Sequence, residues 1–305
     1  MPLLRLLASY AKADRFALAN SPPVRYALFS TSQSGPRAGV VEGETIYALD
    51  GVNSVEDVIA LSREARTSLG RGEAIPLAQA KLLAPVRPRK NVFCVGRNYL
   101  GHAAESARAR GQALELPDVP TMFSKAPTAI VGHDHTLALQ KRVSQNWDFE
   151  AELAVVIGRH CKDVPEASAL DVVFGYTCLN DVTARDKQRA TTQWFMGKTL
   201  DESCPIGPWI VTTDEIRDPN ALGIALRVNG VQKQNDNTSN FIFNVQRVIS
   251  YITQGLTLEP GDVIATGTPE GVGFARTPPE WLQDGDVMEV EIEKIGILRN
   301  PLSIT

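Results

Sequence analysis

Short runs with a two-residue hydrophobic period dominate this chain, and helical periods are few. After Ser21-Pro22-Pro23, the runs Tyr26-Ala27-Leu28-Phe29, Ala38-Gly39-Val40-Val41 and Thr45-Ile46-Tyr47 are separated by glycine and proline, which predicts a small antiparallel unit. Ser54 followed by Asp57 supplies a helix start, with Val55, Val58 and Ile59 on one face and Gly70 beyond the end. Pro165 to Phe174 sets Ala167, Leu170 and Val173 on one helical face and stops at Gly175, predicting a short connecting helix. Val245, Val248, Ile249 and Ile252 repeat that pattern. Leu226-Arg227-Val228 and Val231-Gln232-Lys233 flank Asn229-Gly230, a strong hairpin signal. From Val287 to Ile292, Met288, Val290 and Ile292 alternate with acidic residues, as in a half-buried strand. The sum is an α+β, β-rich chain rather than a regular βαβ array.

Pro85, Pro88 and the arginines beside them read as a linker. The expected organisation is an extension over 1–22, a small domain over 23–88 and a main domain over 89–305. With 43% hydrophobic and 22% charged residues and a formal net charge of -4, the composition is that of a soluble globular protein, and nothing in it points to nucleic acid. No apolar run reaches the roughly 18 residues of a membrane span. Cys94, Cys161, Cys178 and Cys204 have no CxxC spacing and sit mostly in apolar runs, so buried thiols in a reducing, cytoplasmic setting are expected. Met1 to Asn20, with Arg5, Lys12 and Arg15 among leucines and alanines, carries a faint organelle-targeting pattern; a surface helix or disordered extension is the preferred reading.

The chemistry begins at Asp148-Phe149-Glu150-Ala151-Glu152, where an apolar strand starts. Strand side chains alternate between faces, so Glu150 and Glu152 point the same way, and crowding them at the edge of a core is costly without a cation. Asp181 follows another short apolar segment and would complete an all-oxygen set suited to Mg²⁺ or Mn²⁺. His102 and Glu105 stand three apart, a pair that can activate water if the segment is helical, although alone such a pair is a common surface contact. Lys198, after Trp194-Phe195-Met196, could offset the acids and grip an anion, or stand exposed on a loop. The glycine-rich stretch Pro260 to Gly273 can hold a carboxylate but has neither a phosphate-loop ending nor a dinucleotide fingerprint. His133-Asp134-His135 reads as an exposed turn. No Gly-x-Ser-x-Gly elbow is present.

Val95-Gly96-Arg97-Asn98-Tyr99 with His102 and Glu105, Phe123-Ser124-Lys125, Asp148 to Leu153, Asn180 to Asp186, Gly197-Lys198 and Thr266-Gly267-Thr268-Pro269 follow one another in an order that resembles the fumarylacetoacetate hydrolase family. The match runs from about residue 90 to the C-terminus and fits the preceding small domain more loosely. The resemblance implies a mixed β-roll catalytic domain, a homodimer, and Mg²⁺ or Mn²⁺ held by Glu150, Glu152 and Asp181. It further implies that His102 and Glu105 lie on a lid, that Lys198 orients water or substrate, and that Lys125, Arg185, Gln188 and Thr268 bind substrate oxygens.

From the resemblance follows an enzyme acting on 2-oxo acids: carbon–carbon hydrolysis of acylpyruvates, decarboxylation of oxaloacetate, or both. An isomerase or tautomerase of 2-hydroxy-dienoate or 2-oxo-dicarboxylate substrates is the enzyme alternative. A catalytically silent metal-binding scaffold is the alternative of another class.

Overall fold

Arg25–Thr31 pairs antiparallel with Ser34–Glu42, which pairs with Thr45–Leu49 and on to Arg71–Pro76, as the alternating runs near the N-terminus predict. The structure is a computed structural model that describes residues 24–305, so the readings for Met1 to Asn20 lie outside the described residues. The other edge of Arg25–Thr31 bonds to Cys204–Thr212 through Arg25↔Val211 and Tyr26↔Ile210. The N-terminal unit is thereby stitched into a 12-stranded sheet that continues through Val173–Asn180, Ala151–Ile157, Val263–Ala265, Val92–Gly96 and Thr121–Lys125.

Every residue of Ala151–Ile157 is buried. Leu153, Val155 and Ile157 join one apolar cluster, while Ala154 and Val156 join another. The strand therefore lies inside the protein on both faces, which is why its sequence is a continuous apolar run rather than an alternating one. The first cluster also takes in Leu226, Met288, Val290 and Ile292 from a separate 5-stranded sheet. That sheet contains the Asn229-Gly230 hairpin, whose φ angles of 53° and 74° are the two positive values a type I′ turn requires. Helix Val245–Thr253 buries Val245, Val248, Ile249 and Ile252 and is capped by Asn244, whose side chain accepts from the Arg247 N–H. All four cysteines are buried and unpaired.

Two expectations need correction. Pro165 to Phe174 is not an α-helix: Glu166–Val172 is a 3₁₀ helix, and Val173 opens a strand that runs through Gly175 to Asn180. A Cβ at Gly175 would come 2.3 Å from the Val211 carbonyl oxygen, so this glycine marks a close approach between strands and not a helix stop. The segment beginning at Ser54 is two helices. Val55–Ala60 has a full capping box on Ser54 and Asp57, and Ser62 caps a second helix, Arg63–Thr67, before Gly70 is reached.

Gly175→Ala should therefore lower stability by about 1–3 kcal/mol through overpacking, whereas Gly35→Ala, with open space around its Cβ position, should stay within about 0.5 kcal/mol of the parent. Urea unfolding measures both, and equal effects would count against the strand assignment at Gly175.

Candidate metal centre and catalytic cavity

Antiparallel pairing sets Ala151 opposite Asn180, and one step outward the Asp181 N–H donates to the Glu150 carbonyl at 2.8 Å. Glu150 and Asp181 are thus cross-strand neighbours at one end of the sheet, and Glu152, two residues along, lies on the same side. One carboxylate oxygen from each of the three falls within 4.8 Å of the others, and all three residues are buried. Glu152 Oε2 also accepts the Gly267 N–H at 2.7 Å. The glycine-rich stretch expected to hold a carboxylate holds one of the protein's own. Gly267 has φ 96°, and a Cβ there would come 2.8 Å from Asn98 Cβ, so glycine is required on both counts.

Three buried cations surround these acids. Lys198, at the end of the short helix Phe195–Lys198, donates to Glu150 Oε2 at 2.7 Å and to Asp181 Oδ2 at 2.5 Å. Arg185 donates from Nε to Asp148 Oδ2 at 2.8 Å, and its Nη2 lies 2.6 Å from Glu150 Oε1. Lys125 donates to Asp181 Oδ1 at 2.7 Å and to the carbonyls of Val182 and Lys198. With its three donors spent in this way and no exposure, Lys125 sits behind the acids and is not among the residues that line the cavity, whereas the resemblance implies that it binds substrate oxygens.

Four buried carboxylates (Asp148, Glu150, Glu152 and Asp181) thus face three buried cations. Glu152 is the one with no ion pair among the described residues. Burial, reinforced by the charges of Asp181 and Glu150, pushes its carboxyl well above the usual range. For Glu150, burial works against the charged form, but Lys198 and Arg185 outweigh it and hold the carboxyl well below that range. Burial also disfavours the Lys198 ammonium, and Asp181 and Glu150 more than restore it. An all-oxygen set with one uncompensated acid could bind a hard divalent cation, and the residues fit that group.

Helix Leu100–Ala109 carries His102 and Glu105 on one buried face. His102 Nδ1 lies 2.8 Å from Glu105 Oε1, and Glu105 Oε2 accepts the Gly271 N–H at 2.9 Å. With Nδ1 engaged by the carboxylate, Nε2 is the ring nitrogen left for the cavity. Across that cavity from His102 stand Glu150, Glu152, Arg185, Gln188, Lys198 and Thr268. Gln188 accepts from Arg185 at 3.0 Å and Thr268 from Gln234 at 2.8 Å. The site is therefore built from strand ends, the three helices Leu100–Ala109, Arg185–Arg189 and Phe195–Lys198, and the glycine-rich loop that carries Thr268.

Some supporting residues had no role in the sequence reading. Asp148, next to the metal-site glutamates, accepts the Gly273 and Phe274 N–H groups as well as Arg185. Asn98 ties the start of the His102 helix to Thr266 and Phe243. Gln234 joins Ala151 to Thr268 and Pro269. Asp148 and Asn98 stand beside apolar runs, which the pattern alone does not separate from ordinary strand edges, and Gln234 lies in a polar stretch that carries no signal at all. His133-Asp134-His135 stays away from the acids, in a turn where Asp134 has φ 56° and pairs with Arg299.

Residues 91–303 match the family model for fumarylacetoacetate hydrolase, C-terminal, and residues 24–85 match the Rv2993c-like N-terminal model. The chain belongs to the fumarylacetoacetate hydrolase family. Its β-rich architecture with mixed sheets is the fold of that family. The Bacillus subtilis oxaloacetate tautomerase YisK is 42% identical over 227 residues, covering 74% of each chain. The mitochondrial oxaloacetate tautomerase FAHD2B of Bos taurus is 38% identical, covering 97% of both chains. Among solved structures, fumarylacetoacetate hydrolase from psychrophilic Exiguobacterium antarcticum superposes with a TM-score of 0.78 at 37% identity, covering 92% of this chain and 100% of that one. No helix among the described residues is long and apolar enough to cross a membrane.

The uncompensated Glu152 makes a pH prediction. Because folding raises this carboxyl, its contribution to the metal-free fold is intact below the ordinary glutamate range near about 4.3 and is lost as pH climbs towards the raised value. Metal-free Glu152→Gln, which keeps an acceptor for Gly267, should melt higher than the parent at pH 8, and the gap should close towards pH 4. Mn²⁺ should raise the melting temperature of the parent and not of the variant. An equal metal shift in both would count against Glu152 as a ligand.

Proposed function

We propose that this chain is a divalent-metal-dependent enzyme that moves protons on short 2-oxo dicarboxylates, with keto–enol interconversion of oxaloacetate as its reaction. One observation carries the reading: an imidazole with a single free nitrogen faces buried acids and cations across one small cavity. The tautomerase names of relatives that match this chain over most or nearly all of its length support it. Residues 23–88 would form the accessory domain and 89–305 the catalytic one. A homodimer, a cytoplasmic setting and Mg²⁺ or Mn²⁺ as the ion belong to the same proposal.

A divalent ion on Glu150, Glu152 and Asp181 would supply positive charge to the oxygens of a 2-oxo acid and so make the neighbouring C–H more acidic. His102 Nε2 takes a proton from C3 of the keto form, and the imidazolium gives one to the C2 oxygen, which completes the enol with no change in mass. Glu105 fixes the ring through Nδ1 and balances the imidazolium, and the Gly271 N–H fixes Glu105 in turn. Arg185, Gln188, Lys198 and Thr268 offer donors to the substrate carboxylates from the cavity wall.

Carbon–carbon hydrolysis of an acylpyruvate is the second reading, supported by the likeness to a fumarylacetoacetate hydrolase. It would need the same base to deprotonate water. Decarboxylation of oxaloacetate would need no hydroxide, and a silent scaffold would need no dyad.

With oxaloacetate and Mn²⁺, ultraviolet absorbance should report accelerated keto–enol relaxation, and mass analysis should find the substrate mass unchanged. His102→Ala should lower kcat by about 10²–10⁴ with a smaller change in KM. Pyruvate release that outpaces enol formation would contradict the tautomerase reading.

A further inference from the structure

The cavity beside the acids is nearly full: it holds about 20 Å³ of free space, room for about one water molecule. Beside it lies a groove of about 570 Å³. Among the described residues, two line both spaces, Phe123 and Trp194. Their rings meet edge to face with centroids 5.5 Å apart, so together they form the partition.

The two rings are held differently. Phe123 belongs to the strand Thr121–Lys125, is paired with Cys94, and has the Lys198 ammonium 4.9 Å from its ring centroid. Trp194 lies outside any strand, just before the helix Phe195–Lys198, and is half-buried behind the exposed stretch 190–193. No described residue bonds its indole N–H. Its ring occupies the space over Gly96, where a Cβ would come 2.4 Å from the indole, and the Arg97 guanidinium lies 6.0 Å from its centroid. A glycine at 96 therefore makes room for a large ring whose position closes the groove side of the cavity. Beyond the partition Phe93, Met122, Ile252 and Leu256 give the groove wall an apolar strip, beside polar Ser124, Gln193 and Gln254. Outward movement of the His102 helix would enlarge the cavity on the side of Arg97 and Arg110, and Trp194 would still bar the groove.

We propose that Trp194 is a specificity-determining residue, a wall that confines the site to short 2-oxo acids, and that its removal joins the cavity to the apolar groove so that the site accepts a long alkyl tail. The inference rests on the 2-oxo acid reading above and adds the size limit and its cause.

Calorimetric titration of the Mn²⁺-loaded full chain with 2-oxobutyrate and with 2-oxodecanoate tests it without depending on turnover. In the parent, the longer acid should bind no tighter than the shorter. In Trp194→Ala, 2-oxodecanoate should gain roughly tenfold or more over 2-oxobutyrate, as burial of several methylenes in an apolar groove requires. Trp194→Phe, a milder change that keeps an aromatic ring, should fall between. A parent that already prefers the long acid by tenfold, or a pair of variants that bind 2-oxobutyrate and show no gain for the long acid, would overturn the partition alone. Failure of the parent to bind 2-oxobutyrate would overturn the 2-oxo acid reading and the partition with it.

Discussion

Buried negative charge without a full complement of buried positive charge is the constraint around which this protein is arranged. Removing a carboxylate from water is expensive, and the expense is recovered only where a cation or several hydrogen bonds meet it. Asp148 has Arg185 and three N–H groups, Asp181 has two lysines, and Glu150 has Lys198 and Arg185. Among the described residues Glu152 has only the Gly267 N–H. The sheet tolerates apolar residues on that same face of the strand, at Ala154 and Val156. An acid left short of a partner there is intelligible as half of a contact that an ion completes.

The rest of the architecture serves to make that contact reproducible. Strand register places Glu150 against Asp181, with Ala151 paired to Asn180 and the Asp181 N–H on the Glu150 carbonyl; a one-residue slip would turn the glutamates over. Asn98 and Gln234 fasten the loops that bring His102 and Thr268 to the cavity. Lys125 takes no part in the wall and serves as ballast, since without it Asp181 would carry a charge opposed only by Lys198. A site made from distant chain segments is precise here because each segment is tied by backbone or amide hydrogen bonds to the next.

Legibility in the sequence followed the range of the interaction. Glu150 and Glu152 were readable because strand alternation is local, and so was the Asn229-Gly230 turn, whose geometry depends on two residues. Asp181 entered the set only as a residue that could reach the others, because the pairing of Ala151 with Asn180 is a long-range fact. The end of the short helix expected over Pro165 to Phe174 was misplaced for the same reason. Its apolar spacing suits a helix, and only the approach of Val211 shows that Gly175 lies in a strand. Lys125 and Asp148 show a further limit: a sequence marks residues able to carry charge, but whether a charge faces a cavity or another charge is decided by packing.

Anomalous diffraction from crystals soaked in Mn²⁺ tests the central claim most directly. A single strong peak is expected with one oxygen of each of Glu150, Glu152 and Asp181 at about 2.0–2.2 Å, the range for oxygen ligands of small hard cations. A peak elsewhere, or none while Lys198 alone bridges Glu150 and Asp181, would contradict it.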